Sequence, residues 1–325
     1  MGPLDQLDNE VIRLKTLVFA TNTRKSYSTA LLCYLKFCTE YGLPALPATP
    51  TNIGRYIAYL NLSKSPTSTA QYLTVIRLLH LECGLDHPFQ DNHHVSSLLK
   101  AIKRDKGCEQ NYKLTLTTKD LSAMLYHLDL GRPLDAQLWS LILACFYGLL
   151  RISNVTVPNV SNMDSHKSIT RQDIEFHANG IILNIRWSKT LQFRERVLQT
   201  ALPALENDLC PTRAFLNFIK LAGPVPPNAP AWAFIDPLGQ LRVPTSASVR
   251  TRLQSVFAAV GMSTKHFNTH SLRRSGASYL LAAKVPLETI KVLGDWKSDS
   301  VFKYLKPQPA QRLDMVNNSF TQSNT

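Results

Sequence analysis

The segment THSLRRSGASYL, 269–280, carries a histidine and an arginine three residues apart. On a helix, His270 and Arg273 share one face. Thr269 is placed to cap that helix, which puts both side chains near its N-terminus, where backbone N–H groups favour anions. A guanidinium adds a forked donor for two phosphate oxygens, and an imidazole beside it can move a proton near neutral pH. Three further residues suit phosphate chemistry. Arg151, in FYGLLRISNV, directly follows an apolar helix. Lys189 sits in a turn, SKT. Tyr304 lies on a short amphipathic stretch, GDWKSDSVFKYL. Taken singly, each also reads as an ordinary residue: a solvated His-x-x-Arg pair, a helix C-terminal arginine favoured by the macrodipole, a surface lysine and a half-buried tyrosine.

The chain that must position them has 325 residues, enough for two domains with sizeable cores. It is 44% hydrophobic and 18% charged, which is globular rather than disordered. No apolar run approaches the ~20 residues of a membrane span. The N-terminus, MGPLDQLDNE, is acidic and polar, unlike a signal or transit peptide. Cysteines at 33, 38, 83, 108, 145 and 210 have no metal-site spacing, and no metal or other cofactor is expected. They read as reduced thiols of an intracellular protein. Lys and Arg outnumber Asp and Glu by 36 to 23, a net charge of +13 that points to a polyanion such as nucleic acid. Residues 1–110 hold 12 basic and 9 acidic side chains and residues 111–325 hold 24 and 14, so the excess lies with the candidate residues.

The first hundred residues predict four helices. In 24–41, Tyr27, Leu31, Tyr34, Leu35, Cys38 and Tyr41 form one face, ended by Gly42 and Pro44. Thr51 is placed to cap a second helix with Ile53, Ile57 and Leu60. Pro66 opens a third with Tyr72, Val75, Ile76 and Leu79, closed near Gly84. A fourth spans 93–104 with Val95, Leu98, Leu99 and Ile102. Short loops between them make a bundle, and polar 104–113 reads as the linker. Helical periodicity returns over 118–128 and 134–149. Over 171–199 it gives way to strands: Ile174 and Phe176 alternate, Asn179-Gly180 signals a hairpin, and Ile181, Leu183 and Ile185 resume the alternation. SKTLQF reads as a second turn and 196–199 as a third strand. Helices follow at 211–222, 245–260, 270–283, 286–293 and 299–305, with a Pro-rich loop at 222–231 and a frayed end.

The order and spacing of these residues resemble the tyrosine recombinase (phage integrase) family. The motifs are GLLRISNV, SKTLQFRERV and HSLRRSGASYLLAAKVPLETIKVLGDWKSDSVFKYL, with Tyr304 placed 31 residues after Arg273. KTLQFRERV and GDWKSDSVFKYL look closer to the Crypton and DIRS-like recombinases of eukaryotic mobile elements than to bacterial Xer enzymes. The resemblance implies a mainly α fold with a small antiparallel β-sheet. Residues 1–110 would form a four-helix, SAM-like core-binding domain and residues 111–325 the catalytic domain. It further implies a metal- and ATP-independent enzyme that cleaves and rejoins double-stranded DNA through a 3′-phosphotyrosyl link, in the nucleus if the host is eukaryotic. The segment after Tyr304 resembles the piece that docks on a neighbouring protomer, so dimers to tetramers on DNA are expected.

On that resemblance Tyr304 is the nucleophile, whose phenol, with a reference pKa of about 10, must lose its proton as it attacks. Arg151 and Arg273 stabilise charge on the phosphoryl oxygens, with His270 and Trp296 as further donors and His270 assisting the proton transfer. Lys189 protonates the 5′-oxygen, because a lysine can give up a proton and an arginine effectively cannot. Backbone contacts are expected from Arg24, Lys25, Lys100, Lys103, Arg104, Arg194, Arg196, Arg250 and Arg252. Two positions depart from the family pattern. Asn154 stands three after the first arginine, where an acid is common. Asp295 stands nine before the tyrosine, where His or Trp is usual, and its neighbour Trp296 is the better donor to phosphate. A DNA-binding protein that kept the fold and lost cleavage is the competing reading. A type IB topoisomerase is a third, against which the N-terminal bundle argues.

Overall fold

The structure, a computed structural model, describes residues 2–107, 114–158, 164, 167–188, 190–193, 195–296 and 301–302. Lys189, Arg194, Tyr304, most of the 299–305 helix and the C-terminal segment expected to dock lie outside the described residues. The chain divides into two compact units, Met1–Gln110 and Asn111–Thr325.

In the first unit, three helices begin where side-chain oxygens take up orphan N–H groups. Helices α2 (Thr21–Glu40), α3 (Pro50–Asn61), α4 (Pro66–Glu82) and α5 (His93–Lys106) are the four expected. Thr49, rather than Thr51, caps α3, with Pro50 at its first position, while Ser65 caps α4 and Asn92 caps α5. Gly42 and Gly84 sit at φ +61° and +69° just past α2 and α4, a backbone region that favours glycine. Tyr34, Phe37, Ile53, Tyr56, Ile57, Leu60, Leu73, Ile76, Val95 and Ile102 form the core. A fifth helix, α1 (Pro3–Leu17), precedes them. Its apolar residues Leu4, Leu7, Val11 and Leu14 are all exposed, and a Lys15–Glu82 ion pair of 2.8 Å ties it to the end of α4.

The second unit is built around α7 (Pro133–Tyr147), which is buried on every side from Ala136 to Phe146 and so shows little amphipathic pattern. Before it, α6 (Thr118–Tyr126) starts with a capping box between Thr117 and Asp120. After it, α8 (Ile152–Val155) is a single turn. A three-stranded antiparallel sheet follows in the order β1 (Ile174–His177), β2 (Gly180–Ile185) and β3 (Leu198–Pro203). His177 pairs with Gly180, so Ala178 and Asn179 make the turn and Gly180 opens β2, one residue earlier than the motif suggests. Gly180 is needed for close approach, since a Cβ there would lie 2.3 Å from the Leu202 carbonyl oxygen of β3. The third strand starts at Leu198 and runs to Pro203, later than expected, because the inward residues are Thr200 and Leu202. Phe176 is 55% exposed on the edge strand instead of buried with Ile174.

Helix α9 (Pro211–Leu221) and a short hairpin, β4 (Phe234–Ile235) and β5 (Leu241–Arg242), come next. The Pro-rich loop before that hairpin is pinned on α7: Trp232 donates from its indole to Ser140 Oγ at 2.9 Å, and Gln137 donates to the Trp232 carbonyl at 2.7 Å. Helices α10 (Ser246–Ala259), α11 (Thr269–Ala282) and α12 (Leu287–Leu293) complete the described unit. Asn268, rather than Thr269, caps α11, accepting from the N–H groups of His270 and Ser271. Thr269 is instead buried in the first turn. Among the described residues no helix is long and apolar enough to cross a membrane, and Cys33, Cys38, Cys83, Cys145 and Cys210 are free thiols.

Helix α11 packs on α7 at Gly276, where a Cβ would fall 1.9 Å from the Phe146 carbonyl oxygen. Gly276→Ala therefore forces the two helices apart. It should cost about 1–3 kcal/mol of stability, read as a lower urea midpoint in equilibrium unfolding.

Candidate active site

Arg151 owes its place to a break in the chain. Helix α7 ends at Tyr147, and Leu149 takes a left-handed backbone, φ +50°, which is uncommon for a non-glycine residue. The chain turns there, and Arg151 becomes the half-buried residue that opens α8. Asn154 holds this turn. Its Oδ1 accepts the Arg151 backbone N–H at 2.9 Å, and its own N–H donates to the Arg151 carbonyl at 2.8 Å. The missing acid at position 154 is thus no loss to the local geometry, since a neutral amide oxygen accepts the same hydrogen bond as a carboxylate.

Arg273 is the centre of the site and is 2% exposed. Its Nη1 donates to the Leu149 carbonyl and its Nη2 to the Gly294 carbonyl. It therefore joins three places: helix α11, the break two residues before Arg151, and the turn that ends α12. His270, one turn earlier on α11, is exposed. The structure thus brings Arg151's turn, Arg273 and the 294–296 turn together.

Trp296 has a different task from the one its sequence position suggests. Instead of standing open as a donor, it is 7% exposed, and its ring lies over the Arg273 guanidinium at 4.2 Å. Leu149, Ala277, Ile290 and Val301 share its small apolar cluster. Gly294 allows this stacking, because a Cβ there would sit 1.7 Å from the indole ring. A planar cation against an aromatic face is a favourable arrangement, worth more where water is excluded. Asp295 lies between Gly294 and Trp296. Its backbone is left-handed at φ +51°, and its carboxylate accepts from Arg196 and from Thr190 Oγ1. The surroundings of Arg273 are apolar enough to push the thiol of nearby Cys145 up to about 12, burial outweighing the opposing pull of the Arg273 charge.

The cations expected on DNA divide into two groups. Arg24 and Lys25 are exposed near the start of α2, whose first turn holds no acid to offset the helix dipole. Lys100, Lys103 and Arg104 are exposed along one face of α5, and Arg250 is exposed on α10. Two others are committed within the protein. Arg252 bonds the Asp135 carboxylate and the Leu134 carbonyl, each at 2.6 Å, tying α10 to the start of α7. Arg196 pairs with Asp295. Sequence reasoning missed Thr190, the Arg196–Asp295 pair and the two carbonyls that hold Arg273. Backbone acceptors leave no signature in residue types, and Arg196 and Asp295 lie 99 positions apart.

Asn154→Ala should cost about 1–2 kcal/mol in equilibrium unfolding, because it leaves a turn N–H without its acceptor. Asn154→Asp, which keeps that acceptor beside a cation, should stay within about 0.5 kcal/mol of the parent. Equal losses would show that the amide acts through packing and not through this hydrogen bond.

No protein-family model matches the chain. It is 25% identical to an integrase/recombinase xerD homolog of Selenomonas ruminantium over 294 residues, which cover 88% of this chain and 82% of that protein. Its fold is similar to that of the Tn1549 transposon integrase in complex with transposon right-end DNA. That match has a TM-score of 0.63 at 14% identity, over 96% of this chain and 98% of the other. A lambda integrase dimer bound to a COC′ core site gives 0.57 at 15%, over 95% and 97%. The XerH site-specific recombinase bound to palindromic difH substrate gives 0.64 at 12%, over 91% and 79%. Likeness at such identities is likeness of fold: the chain shares the fold of these integrases and recombinases, and the relative at 25% identity spans most of its length.

Proposed function

We propose that this protein is a site-specific DNA recombinase that cleaves and rejoins strands through a 3′-phosphotyrosyl intermediate, serving integration or excision of a mobile element. The observation that carries the reading is the buried Arg273, fixed by two carbonyls between the turn of Arg151 and the turn before Trp296. A cation held rigidly in an apolar setting stabilises developing negative charge without reorganising. The DNA-bound integrases that share the fold support the substrate class, and the transposon integrase among them supports the mobile-element role. The Crypton or DIRS-like affinity rests on KTLQFRERV and GDWKSDSVFKYL alone.

In the cleavage step the Tyr304 oxygen bonds to phosphorus and gives its proton to His270. The bond from phosphorus to the 5′-oxygen breaks, and that oxygen takes a proton from Lys189. Arg151 and Arg273 stabilise charge on the non-bridging oxygens. The bond energy stays in the phosphotyrosyl link, and a 5′-hydroxyl from a second strand reverses the step with a new partner. Arg24, Lys25, Lys100, Lys103, Arg104 and Arg250 supply backbone contacts. Protomers assemble on DNA as dimers to tetramers through the segment after Tyr304, in the nucleus where the host is eukaryotic. The inactive, DNA-binding reading loses its two supports, since Asn154 keeps the Arg151 turn and Asp295 is neutralised by Arg196.

A suicide substrate, nicked so that the cleaved fragment diffuses away, tests the chemistry. The parent chain should accumulate a covalent adduct, and Tyr304→Phe should form none while its DNA affinity stays within about twofold, since only a hydroxyl is lost. A normal yield from that variant would remove Tyr304 as nucleophile, and no adduct from the parent would leave a binding protein.

Affinity for duplex DNA should fall steeply with salt. The slope of log K on log [salt] should correspond to several phosphates, at about −0.9 per contact. A binding constant indifferent to salt would place DNA away from the basic surfaces.

A further inference from the structure

We infer that Asp295 is a positioning residue for protonation of the leaving group: it anchors the loop between β2 and β3 at Thr190 and Arg196, and Thr190 directly follows Lys189 in the chain. The inference rests on the recombinase reading above.

The side chain of Asp295 is only 4% exposed, although it sits in a turn at the end of a short helix. Its two partners come from the same loop. Thr190 Oγ1 donates to one carboxylate oxygen and the Arg196 guanidinium to the other. Thr190 directly follows Lys189, and Arg196 lies two residues before β3 begins. One carboxylate therefore clamps a stretch that leaves the sheet at Ile185 and returns at Leu198. The near end is pinned a second time. Ser188 and Leu191 are buried, the Thr190 N–H donates to Ser188 Oγ at 3.2 Å, and the Leu191 N–H donates to the Ser188 carbonyl at 3.1 Å. Between the anchors Phe193 is 87% exposed.

The same turn also holds the charge centre. The Gly294 carbonyl accepts from Arg273 and the Trp296 ring stacks on it. Residues 294–296 thus bind Arg273 with a backbone oxygen and a ring, and the loop with a carboxylate. A buried carboxylate is costly unless paired, and Arg196 provides the pairing charge. The backbone at Asp295 is left-handed, a conformation Asp tolerates better than most non-glycine residues. A His or Trp at this position could not hold the loop by an ion pair to Arg196. The departure from the family pattern is thereby an exchange of a phosphate donor for a loop anchor.

The test is single-turnover adduct formation by the full-length chain on two suicide substrates, one ordinary and one with sulfur in place of the 5′-bridging oxygen. A thiolate leaves with little help, so a defect in proton delivery is rescued by sulfur and a defect in charge stabilisation is not. Asp295→Ala should slow the ordinary substrate about 10- to 100-fold, the cost of a misplaced group, and recover to within about threefold of the parent on sulfur. Thr190→Val, which removes one anchor and little else, should show a smaller defect with the same rescue. It also serves if Asp295→Ala does not fold. Asp295→Asn, which can still accept from Thr190, should fall between Asp295→Ala and the parent. DNA affinity should stay unchanged in all three.

Equal slowing of Asp295→Ala on both substrates would overturn the inference and make Asp295 a support of Arg273, whose own Arg273→Ala variant is expected to show no rescue. An undiminished rate in Asp295→Ala and Thr190→Val would overturn it as well. Failure of the recombinase reading looks different. If the parent forms no adduct on either substrate, the reading and the inference fall together. If the parent is active but Lys189→Ala is not rescued by sulfur, Lys189 is not the acid and the inference alone falls.

Discussion

A guanidinium that is 2% exposed must find acceptors inside the protein, and the site follows from how Arg273 finds them. Its Nη1 and Nη2 donate to two main-chain carbonyls, those of Leu149 and Gly294. A helical interior carbonyl is already engaged with the N–H four residues on, so these two are available only because the chain leaves helical geometry there. Helix α7 stops at Tyr147 and Leu149 turns left-handed, and α12 stops at Leu293 with Gly294 as its cap. The same break that exposes the Leu149 carbonyl also places Arg151. Arg273 and the backbone of Arg151 are therefore positioned by one local event.

The scaffold makes this arrangement rigid through close approaches. Gly276 lets α11 settle on the end of α7, and Gly294 lets the Trp296 ring cover Arg273. The medium is apolar: Arg273 is 2% exposed and Trp296, stacked on it, is clustered with Leu149, Ala277, Ile290 and Val301. An electrostatic interaction in such a medium is stronger than in water, which is what a charge built up on phosphoryl oxygens requires. The cost falls on the fold. It must bury a cation, tolerate left-handed Leu149 and Asp295, and surround α7 with apolar neighbours along its whole length.

Net charge is a poor guide to which cations serve a partner. The +13 of the sequence counts Arg252 and Arg196 with the others, yet Arg252 ties α10 to Asp135 and Arg196 neutralises Asp295. Arg24, Lys25, Lys100, Lys103, Arg104 and Arg250 remain on exposed surface. Such surface charges act through their summed field rather than through fixed geometry, so composition conveys their existence and only burial and pairing separate them from the internal ties.

Local physics wrote much of this protein into its sequence. The helices of the first unit are legible from their apolar spacing, Pro at first helical positions and glycines past the ends, because each depends on neighbours within one or two turns. The hairpin region is legible from its alternation, although its turn is displaced by one residue by the contact of Gly180 with β3. Helical geometry puts His270 one turn before Arg273 on α11, but His270 is exposed and Arg273 buried, a difference the spacing does not carry. Helix α1 escaped because its apolar residues meet no core within the described unit, and the central helix α7 gave a weak pattern because it is buried all round. What only the tertiary structure decided is who partners whom at long range: Arg273 with two carbonyls, Trp296 with Arg273 instead of open solvent, and Arg196 with Asp295 across 99 residues. Residue types and spacing specify what a side chain can do. Which of its options it takes depends on the dielectric and the acceptors around it, and these exist only once distant segments have packed.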